Sequence, residues 1–443
     1  MAELTFLLAS TPITAHTINL LPIAARLAQR GHRVHWYAAS RFHHRIRAVG
    51  AEPHAFVEAT EFDDLAAAYG GAGSPQAIAG LRRGFAEQLV GDVRGRVADL
   101  ETLTARLPVD AVLTDAMFVA ARSWHERGGP VWATLGDGPL SYADADTPPY
   151  GPGMLPMRGR EGRRRNRVTT RLSQRLIWGP ASTRLNAARH DLGLVATDRS
   201  VFGEATSPYL HLQACVPEFE YPRRRLPDQI HFVGAVRACP DPMALPSWWA
   251  DLVADDRPAV LVSQGTLRPD LDELVLPTLA GLAGQGVQVV VTTGAAEVSQ
   301  LRRAMGGTLP EWVRAARWIP YDLVLEHVDA FVTNGGYTGV TLALAHGVPM
   351  VQVGSSEEKA EIGARIAWSG TGVRLRWRAT PHRMRTAVHR VLTDRWIHAQ
   401  AARLQRAMTG HDAAGESADL LTTLATTQAP VTRCPPNPFD LSA

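Results

Sequence analysis

Short apolar runs alternate along the chain with longer stretches of helical spacing, and glycine or proline punctuates the changes. Leu4 to Ala9 is the first run; a loop from Pro12 to Asn19, an amphipathic stretch from Leu20 to Arg30 closed by Gly31, and a second run from Val34 to Ala38 follow it. Compact runs of this kind predict strands, and apolar residues recurring at helical intervals predict a helix, so the unit reads β-α-β. Val109 to Asp115 and Val131 to Leu135 predict further strands of the same half. The pattern restarts with a strand from Pro258 to Val262 and a helical stretch from Asp270 to Gly284, then a strand from Ala330 to Thr333 and a helix from Thr338 to Ala345. The expected organisation is an α/β half over 1–215, a hinge over 216–257, a second α/β half over 258–400, closing helices within 401–426 and a loose tail over 427–443. The hinge is rich in proline, arginine and tryptophan and contains a strand from Ile230 to Val233; the tail carries four prolines.

At 443 residues the chain is long enough for two or three domains with ample cores. A formal net charge of +3 and the lack of a long apolar span point away from bulk nucleic-acid binding and membrane insertion. The first apolar run is a strand followed by a loop and does not read as a signal peptide. Cys215, Cys239 and Cys434 have no metal or disulfide spacing, which fits a reducing cytoplasm.

Two turns stand where an anion could bind. Asn334-Gly335-Gly336 joins a strand to a helix, so free backbone N–H groups and the positive end of the helix dipole face whatever lies beyond the strand. Ser263-Gln264-Gly265-Thr266 is a second turn of the same kind, and the two could converge on one diphosphate. The first strand, by contrast, is not followed by G-x-G-x-x-G, which disfavours a dehydrogenase-type dinucleotide site. Lys359 is the only lysine among 46 basic residues, and a compact ammonium is not interchangeable with a guanidinium fork.

A Trp-x-Pro segment (Trp318-Ile319-Pro320), the Thr-x-Gly-Gly turn, the helix exit Ala343-Leu344-Ala345-His346-Gly347-Val348-Pro349 and the pair Glu358-Lys359 occur in this order. The combination resembles the donor signature of family-one nucleotide-sugar glycosyltransferases, and the likeness extends to about Thr426. It implies the GT-B fold, two Rossmann-like doubly wound domains facing across a cleft, with the last helix returning to the first domain. It also implies that Trp318 stacks on the nucleotide base and the Ile319 backbone reads the base edge. Thr266, Asn334, Gly335, Gly336, Thr338 and Gly339 would meet the diphosphate, and Glu358 with Lys359 the donor sugar's hydroxyls. Ala15-His16-Thr17-Ile18-Asn19 resembles the family's Gly-His-x-x-Pro loop, which makes His16 the general base, as a near-neutral imidazole suits. A base of this kind needs an orienting carboxylate. Asp115 matches the family's partner, with Asp137 as the reserve, and Asp137 and Tyr142 fall on the acceptor side.

The chain departs from the family where Asn334 replaces His, Gly339 lacks a hydroxyl, and Leu342 replaces a Glu that holds ribose. The implied activity is inverting transfer from a UDP- or dTDP-type sugar to a small, largely apolar acceptor, with no metal and no cofactor. The alternatives are a non-catalytic nucleotide-sugar-binding homologue or auxiliary partner of another transferase, and a nucleotide-sugar hydrolase or epimerase. Asp144-Ala145-Asp146 spells the D-x-D of metal-dependent transferases but lies in a Pro- and Gly-rich loop. Eight arginines from Arg158 to Arg175 face one acid, Glu161, and read as a solvated lid or as a patch for an acidic acceptor, a partner protein or an anionic membrane surface. A homodimer is among the open oligomeric states.

Overall fold

The computed structural model describes residues 3–62, 85–237, 244–265, 270–354, 358–375, 379–434 and 437–439. Thirteen strands among them form two sheets, every pairing parallel. The first sheet contains β1 (Thr5–Ala9), β2 (Arg33–Tyr37), β3 (Glu52–His54), β4 (Ala111–Asp115), β5 (Trp132–Gly136), β6 (Leu210–Gln213) and β7 (Ile230–Phe232), in the order β3-β2-β1-β4-β5-β6-β7. The second contains β8 (Ala259–Ser263), β9 (Gln288–Thr292), β10 (Val313–Ala316), β11 (Ala330–Thr333), β12 (Met350–Val353) and β13 (Gly372–Leu375), in the order β10-β9-β8-β11-β12-β13. Every residue of β1, β4, β5, β8, β9, β11 and β12 is buried, because helices cover both faces of a parallel sheet. This burial is why these strands are mostly apolar runs rather than alternating patterns.

Strand order reverses between β1 and β4 in the first sheet and between β8 and β11 in the second. Loops leaving neighbouring strands diverge there and open a crevice at the carboxyl ends. His16 follows β1 and Asp115 ends β4, while the two glycine turns follow β8 and β11.

Several expectations need amendment. The stretch read as a loop after β1 holds a one-turn helix, Thr14–Ile18, too short to show a helical period. β7 lies within the expected hinge, yet pairs with β6, so the first domain extends past residue 215. The expected tail is hydrogen-bonded along 431–433: Val431 N–H donates to Tyr209 at 2.9 Å and Arg433 N–H to Asp228 at 2.9 Å. Proline-rich composition excluded regular structure there, not contact. The arginine-rich stretch is the helix Gly159–Ser173, not a lid; its Gly162, Asn166 and Ser173 are buried while most of its arginines face solvent. The helix Arg395–Thr409 packs on Tyr337–Ala345 in the second domain. The last helix, Ala413–Thr427, packs on Leu21–Gln29 and β4 in the first. No helix among the described residues is long and apolar enough to cross a membrane.

Candidate active site

A cavity of about 610 Å³ opens between the two sets of strand ends. His16, Asp137, Trp318, Ile319, Asn334, Gly336, Thr338, Gly339, Glu358 and Lys359 all line it. Thr266 lies outside the described residues. Tyr142 lines an adjoining smaller cavity of about 60 Å³ and not the main cleft, whereas Tyr150 lines both.

His16 leads the first-domain side. Its Nδ1 lies 2.6 Å from Asp137 Oδ2 and 3.8 Å from Asp115 Oδ1. The direct partner is therefore Asp137, and Asp115 takes a different role from the one the family pattern suggested. Fully buried, Asp115 accepts from Thr11 N–H at 2.6 Å, Thr11 Oγ1 at 3.1 Å and Met117 N–H at 2.8 Å, which fixes the loop beneath His16. The cause is strand register. Asp115 pairs with Leu135, so Asp137 reaches two residues further past the sheet edge. A carboxylate only accepts, so Nδ1 carries the proton toward Asp137 and Nε2 is the nitrogen that takes or gives one. Burial pulls the His16 pKa down, but the charge and hydrogen bond of Asp137, helped by Asp115 and Glu358, more than offset this and push it up to about 9. Burial likewise raises the Asp115 carboxyl, against the lowering influence of His16.

On the second-domain side, the helix Tyr337–Ala345 starts at Gly336 with no side-chain cap, so its first-turn N–H groups face the cleft as donors. Gly335 (φ 98°) and Gly265 (φ 83°) take the left-handed conformation that their turns require. The Asn334 side chain donates to the Gln264 carbonyl and so ties the two turns together. Asn334 also lines the cleft. Thr338 Oγ1 meets Asn19 of the His16 loop at 3.0 Å, a bridge between the domains. Gly339 gains a physical reason: a Cβ there would stand 3.3 Å from the Tyr321 ring, whose hydroxyl donates to Ser263 Oγ at 2.8 Å. Tyr321 fills the space that a hydroxyl-bearing side chain would otherwise use. Trp318 is 47 % exposed at the cleft wall, while Ile319 and Leu342 are buried.

Glu358 stands at the N-cap position of the helix Lys359–Ser369, with no side-chain cap bond, and the lone lysine, Lys359, is only 6 % exposed. Sequence reasoning missed Tyr321, Tyr150, Asn19 and Gln213, whose Nε2 donates to Tyr337 at 2.9 Å across the domains. Tyr321 directly follows the Trp-x-Pro segment and Asn19 ends the motif around His16, the two signals that pointed to any of them. Asp144 accepts from Asp146 N–H at 2.8 Å, and Asp146 faces Arg224 at 3.4 Å; neither carboxylate lines the main cleft.

Residues 278–424 match the family model for the C-terminal domain of erythromycin biosynthesis protein CIII-like proteins. The 4'-demethylrebeccamycin synthase of Lentzea aerocolonigenes is 35% identical over 420 residues, spanning 94% of this chain and 98% of that protein. The chain belongs to the natural-product glycosyltransferases. Among solved structures, the calicheamicin glycosyltransferase CalG4 superposes with a TM-score of 0.73 at 23% identity, over 97% of this chain and all of that one. The glycosyltransferase VinC in complex with dTDP gives 0.67 at 21% identity, over 96% of this chain and all of VinC. This glycosyltransferase therefore has the GT-B architecture, with its two parallel sheets as the two halves.

Proposed function

We propose that this glycosyltransferase moves a sugar, with inversion, from a nucleoside-diphosphate sugar to a hydroxyl of a small, largely apolar acceptor. The observation that carries the reading is the 2.6 Å contact of His16 with Asp137, in the same cavity as Glu358, Lys359 and the open helix start at Gly336. An acceptor hydroxyl attacks the anomeric carbon and gives its proton to His16 Nε2. As the new C–O bond forms, the bond from that carbon to the diphosphate oxygen breaks, and the nucleoside diphosphate leaves. The negative charge growing on it meets the first-turn amides of Tyr337–Ala345. Trp318 offers its ring to the base, and Glu358 and Lys359 an acceptor and a donor to the sugar hydroxyls. Ile18, Met117, Leu140 and Phe202 give the acceptor end of the cleft its apolar character. A non-catalytic binding role leaves the paired His16 and Asp137 without use.

A UDP or dTDP donor is expected; VinC was solved with dTDP, and two of the curated relatives are a 4'-demethylrebeccamycin synthase and a UDP-glycosyltransferase. The test is thermal shift across a panel of nucleotide sugars, followed by transfer assays with the stabilising donors and proton NMR of the product's anomeric centre. Inversion is expected, and EDTA should leave the rate unchanged because backbone amides neutralise the leaving group. A retained anomeric configuration, or strict dependence on added Mg²⁺ or Mn²⁺, would sink the mechanism.

A further inference from the structure

The loop after Asp137 and the helix after Glu358 belong to different domains, yet one buried cluster of charges joins them. Glu361, in the first turn of Lys359–Ser369, accepts through Oε1 from the N–H groups of Gly151 at 2.9 Å and Gly153 at 2.7 Å. Its Oε2 accepts from Arg365 at 2.9 Å. Arg365 reaches back to the first domain, 2.9 Å from Glu220 and with its guanidinium carbon 4.4 Å from the Tyr221 ring centroid. Glu220 and Arg223 hold the start of the same loop. Leu140 N–H donates to Glu220 at 2.8 Å, and Arg223 donates to the carbonyls of Leu140 at 2.6 Å and Tyr142 at 3.1 Å. Arg374 of β13 adds a bond of 2.7 Å to the Gly153 carbonyl.

Glu220, Arg223, Glu361 and Arg365 are each at most 2 % exposed, and two carboxylates balance two guanidinium groups. Four charges out of water are tolerable only while all stay paired. Shape adds to charge, since Gly153 has φ 60° and a Cβ on it would overlap the Ala360 carbonyl. The loop therefore lies directly on the start of the helix that carries Glu358 and Lys359. Between its two fastened ends is Tyr150, which lines the cleft, and Glu358 is near enough for its charge to act on both Tyr150 and His16.

We propose that Glu361 is a positioning residue that fastens the acceptor-side loop 138–153 to the donor-sugar helix, so that the acceptor pocket takes its working shape only when the two domains are closed on each other. The proposal rests on the glycosyl-transfer reading above for what the two halves bind. It does not need that reading for the fastening itself.

Three variants test it: Glu361→Ala, which removes the acceptor of both loop amides; Glu361→Gln, which keeps an oxygen but loses the charge; and Gly153→Ala, which crowds the Ala360 carbonyl and the Arg374 guanidinium and so forces the loop off the helix without removing any charged group. In Glu361→Ala and Gly153→Ala the acceptor KM should rise about ten- to a hundredfold, while calorimetric affinity for UDP or dTDP stays within about twofold; Glu361→Gln should fall between these and wild type. Hydrogen exchange of peptides covering 139–156, followed by mass spectrometry, should quicken in the same order, and this reading needs no turnover. An unchanged acceptor KM with unchanged exchange would overturn the proposal. So would a parallel loss of nucleotide affinity, which would mark Glu361 as merely part of the fold. If wild type transfers no sugar at all, the transfer reading fails, and the exchange comparison still decides the fastening.

Discussion

His16→Ala is expected to lower turnover by roughly 10²- to 10⁴-fold while the affinity for nucleoside diphosphate changes little. The imidazole sits after β1 on the first-domain wall, whereas the donor's phosphates would rest on the second-domain helix start, so its loss removes a proton acceptor without touching the donor site. The two nearby carboxylates separate by role. Asp137→Asn should approach the His16→Ala loss, because the group 2.6 Å from Nδ1 no longer carries the charge that holds the tautomer and stabilises the imidazolium. Asp115→Asn should cost less in rate and more in stability, since Asp115 serves three hydrogen bonds of the loop. Steady-state kcat for the three variants, with calorimetric binding of UDP and dTDP, gives the comparison. Near-normal turnover in His16→Ala would remove it as the base.

Lys359→Ala should weaken the intact nucleotide sugar by roughly one to two orders of magnitude, because a hydrogen bond from a charged donor contributes about 1.5 to 3 kcal/mol. The free nucleoside diphosphate lacks the sugar and should bind almost as before. Lys359→Arg should be poorly tolerated as well, since a broad planar fork does not reproduce the contacts of a compact ammonium at this mostly buried position. Calorimetry with both ligands separates the possibilities. Equal losses for the two would put Lys359 on phosphate or in the fold, and no loss for either would leave it without a part in donor binding.

The strands that carry the site were readable from sequence because β1, β4, β8 and β11 are buried on both faces and so have apolar runs, with polar residues only at their ends. The one-turn helix around His16 and the short edge strand β7 were not, since neither is long enough to express a period or to stand out from its surroundings. Most of the residues that motif order singled out, from Trp318 to Lys359, line one cleft, but the family pattern put Asp115 first and Asp137 in reserve as the partner of His16, and the structure reverses that order. That reversal follows from how β4 and β5 are aligned, which no local pattern encodes. The glycine at 339 stood in the sequence as a missing hydroxyl; in space a Cβ there would press on the Tyr321 ring at 3.3 Å. The cluster of Glu220, Glu361 and Arg365 was invisible for the same reason, because its members come from separate domains and only the closed cleft makes them neighbours.

The pH dependence of kcat/KM in wild type and Asp137→Asn tests the His16–Asp137 pair most directly, because this ratio reports the ionisation of the free enzyme's base. With its pKa pushed up to about 9, His16 is protonated at neutral pH and must lose that proton to act. Wild-type kcat/KM should therefore climb as pH rises and level off near that value. Removing the Asp137 charge takes away the main influence that holds the proton, so the rising limb of Asp137→Asn should move to lower pH and plateau at a smaller maximum. A limb at the same pH in both proteins, or none between about pH 6 and pH 10, would contradict His16 as a base held by Asp137.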